Sequence, residues 1–175
     1  MANKEALRDL QQRLAQRLQT AQTQADSTAW LAVRVGSFHF LLPLSQSGEI
    51  FPLTAIARVP YTRPWFSGVA NLRGGLFGVV DLQRFMDPQA GTRDEQALVQ
   101  ARLVTLNVEL GVNCALVVDD LLGLRRAEAF KSTEPAAAGA PSYFGNRFQG
   151  EQGVVWQELN LHQLSQTSAF LEIGA

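Results

Sequence analysis

The chain carries a single cysteine, Cys114, in 175 residues. One thiol cannot close an internal disulfide or build a Cys-rich zinc site. Cys114 alternates within the apolar run Val112–Val118 and reads as a small core residue. Histidine is nearly as scarce. His39 lies in the apolar stretch Phe38–Leu42, where a structural or edge-strand role fits, and His162 lies in a polar C-terminal segment. There is no Gly-x-Ser-x-Gly elbow, and Gly74-Gly75 with Gly78 matches neither phosphate-loop nor dinucleotide-binding spacing. Neither sign of charge dominates. Fifteen basic and sixteen acidic residues leave a net charge of −1, without the basic excess of a nucleic-acid-gripping domain. Charged residues make up 18%, below the usual share of about 25%, which leaves neutral surface for partners. No window approaches the roughly 18 apolar residues of a membrane span, and Met1-Ala2-Asn3-Lys4-Glu5 lacks the apolar core of a signal peptide. These absences predict a cytoplasmic protein with no catalytic residues, no metal, no cofactor and no direct membrane insertion.

What is present begins with a helical pattern over residues 4–22. Leu7, Leu10, Leu14 and Leu18 fall on one helix face, with no Gly or Pro in the segment. From Thr28 the texture becomes that of short strands. Trp30–Val35, Phe38–Leu42, Ala55–Val59, Gly68–Leu72, Leu76–Asp81, Arg102–Val108, Val112–Asp119 and Val154–Trp156 are apolar, and most are broken by Gly, Pro, Asn or Ser. Gly36-Ser37 and Gly111 read as hairpin turns, and 88–95 and 134–142 as loops. Asp81, Asp119 and Asp120 stand at strand ends, where capping is favoured over a divalent cation.

Sliding the chain against itself by 75 residues gives an internal repeat. Leu31, Val33, Gly36, Leu41, Gly48, Pro60, Asn71, Gly75, Gly78, Val79 and Val80 each meet the same residue type, from Leu106 to Val155. Gly and Pro are prominent among them, as expected where turns are copied. The repeat predicts two β-lobes in tandem, of about five strands each. Within it Glu49 is replaced by Leu124 and Arg73 by Phe148. A charge pair exchanged for an apolar pair suggests that the two positions touch, so Glu49 and Arg73 are expected to form a buried salt bridge.

The stretch Val59-Pro60, Gly68-Val69-Ala70-Asn71-Leu72-Arg73-Gly74 and Val79-Val80-Asp81-Leu82 resembles the signature of CheW-type chemotaxis adaptors. Ser47-Gly48-Glu49-Ile50 and Val117-Val118-Asp119 resemble two further elements of that family. The likeness covers about residues 28–170, and the N-terminal extension (1–27) looks like that of PilI-type adaptors of type IV pilus systems. The resemblance implies a mainly β fold of two tandem five-stranded SH3-like barrels with an N-terminal helix. Lobe one would span about 28–88 and lobe two about 100–165, with strand exchange between them allowed. It implies no enzymatic activity and no cofactor. The implied partners are the cytoplasmic tip of a methyl-accepting chemoreceptor and the regulatory domain of a CheA-type histidine kinase, at membrane-bound receptor arrays. Ile50, Gly68, Val69, Ala70, Asn71, Leu72 and Arg73 are the candidate receptor contacts, with Gly68 and Ala70 admitting a close helix. Arg73 would contact the receptor or, as the favoured role, hold the groove through Glu49. Leu121 and Leu122 are candidate kinase contacts on lobe two. The alternative is an oligonucleotide-binding barrel using the Tyr61, Arg63, Trp65 and Phe66 cluster, although Pro60 and Pro64 bracket it in a way that favours inward packing.

Overall fold

A computed structural model describes residues 29–175, so the helix expected over 4–22 lies outside the described residues. The mainly β expectation holds. Eleven strands run in chain order as β1 (Trp30–Val35), β2 (Phe38–Pro43), β3 (Ser47–Pro52), β4 (Phe66–Leu72), β5 (Gly75–Asp81), β6 (Arg102–Leu106), β7 (Cys114–Val118), β8 (Asp120–Arg125), β9 (Ser132–Glu134), β10 (Phe144–Gln149) and β11 (Val155–Leu159). Four short helices accompany them: α1 (Leu82–Met86), α2 (Glu95–Gln100), α3 (Leu161–Gln166) and α4 (Ser168–Leu171).

The strands form two sheets, ordered β8-β1-β2-β11-β10-β9 and β3-β6-β7-β5-β4. The 75-residue offset carries β2 onto β7, β3 onto β8, β4 onto β10 and β5 onto β11, and it carries the β1–β2 turn onto the β6–β7 turn. Under that correspondence both sheets have the same strand order, apart from β9, which extends the six-stranded one, and each contains the first hairpin of the other half. The parallel pairings match as well: β2 runs parallel to β11, and β7 runs parallel to β5. Gly36 and Gly111 turn the two hairpins with φ of 58° and 70°, a conformation that glycine adopts without steric penalty.

This exchange explains the continuous apolar runs. Leu31, Val33 and Val35 of β1, Phe40 and Leu42 of β2, Val104 and Leu106 of β6, and Cys114, Leu116 and Val118 of β7 all enter one shared core. The alternate residues enter private cores. Ala70, Leu72, Val79, Leu103, Ala115 and Val117 fill the five-stranded sheet, and Trp30, Ala32, Leu41, Phe148 and Trp156 fill the six-stranded one. Inner strands are therefore buried on both faces, and their period-2 alternation is lost.

Three local readings need correction. Ala55–Val59 is not a strand, since only Ala57 bridges to Val69. Residues 120–125, outside every run expected to be a strand, form β8. Of the two roles expected for His39 the edge one fails and the structural one stands: β2 is flanked on both sides, and the imidazole stands 5.0 Å from the Trp156 ring. The aromatic run before β4 packs partly inward as expected. Trp65 stacks on Phe170 of α4 and meets Phe85 of α1 edge-on, while Tyr61 alone points out.

Ala57 and Val69 exchange backbone hydrogen bonds of 2.8 and 2.9 Å, and this approach is possible because Gly68 lacks a side chain. A Cβ at Gly68, whose φ is +132°, would sit 2.1 Å from the Ala57 carbonyl oxygen. Gly68→Ala is expected to cost on the order of 2 kcal/mol or more through strain and clash. The readout is a lower urea midpoint with unchanged slope. An unchanged midpoint would mean that the 55–58 segment moves aside freely.

Candidate partner-binding surface

Strand β4 places its residues alternately. Gly68, Ala70 and Leu72 are buried, whereas Asn71 is exposed and Val69 half-buried. Gly68 and Ala70 therefore do not admit an approaching helix, because one is covered by residue 57 and the other lies in a private core. Leu76 of β5 stands directly across from Asn71 and is 65% exposed. Reading the sequence missed Leu76 as a surface residue. The mostly apolar sequence of β5 carries no alternation that would have marked Leu76 as outward.

Arg73 is not a strand residue. Leu72 pairs with Gly75, leaving Arg73 and Gly74 as a two-residue hairpin turn with φ of 49° and 84°. Both values are positive, as a type I′ turn requires. The Asn71 side-chain oxygen steadies the turn by accepting from the Gly74 N–H at 2.9 Å. From this corner the Arg73 guanidinium reaches Glu49 on β3 at 2.7 Å and stands 5.7 Å from the Phe51 ring centre. β3 and β4 are opposite edges of the five-stranded sheet, so the pair links its two ends. The expectation of burial was wrong: the Arg73 and Glu49 side chains are 74% and 56% exposed. Ile50, beside Glu49, is also exposed.

The repeat partners of that pair behave differently. Phe148 is buried with Trp30 and Phe130, while Leu124 is largely exposed on the edge strand β8. Leu121 pairs with Val33 and packs against the shared core, whereas Leu122, at a register shift, is partly open.

The buried electrostatics lie elsewhere, in a residue the sequence reading did not single out. Arg93, in the loop before α2, donates from Nη1 to Asp81 at 2.6 Å and from Nε to Asp119 at 2.5 Å. Its side chain is 8% exposed. Asp119 sits where the chain crosses from one sheet to the other, and its second oxygen accepts from the Gly36 N–H at 2.5 Å. Asp81 caps α1 through the N–H groups of Gln83 and Arg84, and Asp120 pairs with Arg34. Burial alone would lower the Arg93 pKa, but the hydrogen bonds and charges of Asp81 and Asp119 outweigh it and the net shift is upward. These acids hold an arginine and do not surround a cation site. Among the described residues, no three His, Cys, Asp or Glu side chains converge as a metal would need. His162, in α3, is exposed.

Residues 29–169 match the family model described as CheW-like domain. The chain belongs to that family. Its CheW-like domain makes it a non-enzymatic adaptor of chemotaxis-type signalling. The chain is 28% identical over 165 residues to Protein PilI of Pseudomonas aeruginosa strain PAO1, covering 93% of this chain and 89% of the relative. The fold matches that of the scaffolding protein TtCheW from Thermoanaerobacter tengcongensis with a TM-score of 0.64 at 17% identity, over 81% of this chain and 94% of that one. In this CheW-like domain, Trp65 and Phe66 pack against the core. The oligonucleotide-binding alternative thereby loses its stacking platform.

The two sets of ion pairs should respond unequally to truncation. Arg93→Ala strands two carboxylates in the interior and is expected to cost about 3–5 kcal/mol, while Arg73→Ala should cost about 1 kcal/mol or less. Urea unfolding of both variants checks this, and equal losses would contradict it. Burial also pushes the Cys114 thiol up to about 12. The folded state thus favours the neutral thiol, and this contribution to stability is lost as pH rises from the unfolded thiol's value of about 8.5 toward that range. Ellman's reagent at pH 8 is expected to leave native Cys114 unmodified and to react after urea unfolding.

Proposed function

We propose that this protein bridges the cytoplasmic tip of a methyl-accepting chemoreceptor to the regulatory domain of a CheA-type histidine kinase, in the cytoplasm beneath receptor arrays of a type IV pilus system. Family membership and the likeness to PilI support the setting. No helix among the described residues is long and apolar enough to cross a membrane. The observation that carries the reading is the surface around the Arg73–Glu49 pair, which joins the β3 and β4 edges of the five-stranded sheet. It combines exposed Ile50 and Leu76 and half-buried Val69 with polar Asn71 and that pair. A helical receptor tip needs this mixture of apolar contact and a few polar anchors. Gly68, Ala70 and Leu72 support this surface from beneath, and Arg73 acts both as a contact and as the residue that holds the corner.

The kinase face lies on the six-stranded sheet, along the edge strand β8. There Leu122 and Leu124 are open to a partner, and Leu121 anchors the strand to the core. β8 and β3 occupy equivalent places in the two sheets, so each sheet offers one edge. Each contact is weak alone, and an array gains avidity from linked contacts.

Co-sedimentation with a receptor cytoplasmic fragment and the cognate kinase tests the reading. Leu76→Glu is expected to reduce receptor co-sedimentation at least tenfold with an unchanged melting temperature, while kinase binding persists. Arg73→Glu should weaken the same contact, and the double variant Glu49→Arg with Arg73→Glu should recover part of it. Full receptor binding by Leu76→Glu would remove this surface from the interface.

A further inference from the structure

A cavity of about 300 Å³ opens just before β4, and three of its lining residues are Arg58, Arg63 and Arg84. No Asp or Glu lines it. Among the described residues neither Arg58 nor Arg63 has an acidic partner. Arg84 stands 3.9 Å from Asp81, whose same oxygen is already engaged by Arg93 at 2.6 Å. Three of the chain's fifteen basic residues thus converge in a protein whose net charge is −1.

The backbone gathers these charges. Ala57 is tied to Val69 of β4, the Arg63 N–H donates to the Ile173 carbonyl at 2.8 Å, and the Ala175 N–H donates to the Tyr61 carbonyl at 3.0 Å. Phe66 then closes the turn by donating to the Arg63 carbonyl at 2.9 Å. The segment is held from the sheet on one side and from the residues after α4 on the other. Arg58 and Arg63 have no acidic partner among the described residues and Arg84 shares Asp81 with Arg93, so an anion in this cavity would relieve the repulsion among the three.

We propose that this cavity is a binding site for a phosphate-class polyanion, a pyrophosphate or the diphosphate of a nucleotide, held by Arg58, Arg63 and Arg84. Guanidinium forks match phosphate oxygens in bidentate geometry, and all three cations here are arginine with no lysine. A single carboxylate brings one charge to three cations, whereas a diphosphate brings at least two and has oxygens for every fork. The volume is at the lower end of small-molecule sites, enough for a compact anion but not for a helix. Its lining shares no residue with the adaptor surface of Glu49, Ile50, Val69, Asn71, Arg73 and Leu76, and its test does not involve receptor or kinase.

Isothermal titration calorimetry on the full chain at low ionic strength provides the test. Sodium pyrophosphate, ADP and succinate are titrated into the wild type and into the Arg58→Gln, Arg63→Gln double variant. The wild type is expected to bind pyrophosphate, with affinity falling as salt rises, and the double variant to lose at least tenfold while its melting curve stays unchanged. ADP binding tighter than pyrophosphate identifies a nucleotide as the source, and equal or weaker binding identifies the free anion. No heat with millimolar pyrophosphate, succinate binding as well as pyrophosphate, or an unaffected double variant overturns the proposal.

Discussion

Each sheet of this protein contains a hairpin that belongs, by sequence, to the other half of the chain. β1 and β2 hydrogen-bond to β8 and β11, and β6 and β7 to β3 and β5. Neither sheet can be completed by a contiguous piece of chain. Because both hairpins also present one face to the core between the sheets, their burial couples the two halves. The rest of the structure depends on that coupling. It leaves β3 and β8 as equivalent free edges, sends the chain across at Asp119, and places the β4–β5 turn at an outer corner. Such long-range pairing carries a loop-closure cost that only the finished core offsets.

Burial sorts the ion pairs into two kinds. Arg93 with Asp81 and Asp119 is enclosed where the two sheets meet, so removing Arg93 leaves two buried carboxylates without their counter-charge. Arg73 with Glu49 is bathed in solvent, so it contributes little to stability and can exchange partners cheaply. The buried group fixes how the two sheets meet, whereas the surface pair leaves its charges open to other partners. The same distinction separates Leu121, committed to the core, from Leu122 and Leu124 on the same strand.

Much of the fold was legible because it is written locally. Gly36 and Gly111 mark hairpins through their left-handed backbone, Cys114 sits in an unbroken apolar run, and the Asn71–Gly74 segment encodes its own turn. The 75-residue repeat was visible for the same reason, since copied turns keep their Gly and Pro. β8 was not legible as a strand: it is an edge, and Gly123 between two leucines imitates a turn. Leu76 was hidden because a strand of mostly apolar residues does not announce which face is covered.

The family resemblance, the mainly β class, the hairpins and the pairing of positions 49 and 73 were readable from residue types at fixed short spacings and from a repeat in register. Folding in three dimensions set which half of the chain completes which sheet, that the Glu49–Arg73 pair is exposed, that Arg93 is a buried cation, and that Arg58, Arg63 and Arg84 share one cavity. Those outcomes depend on which strands become neighbours. Strand order is set by how the shared core closes over both hairpins at once, a property that no single window of the sequence carries.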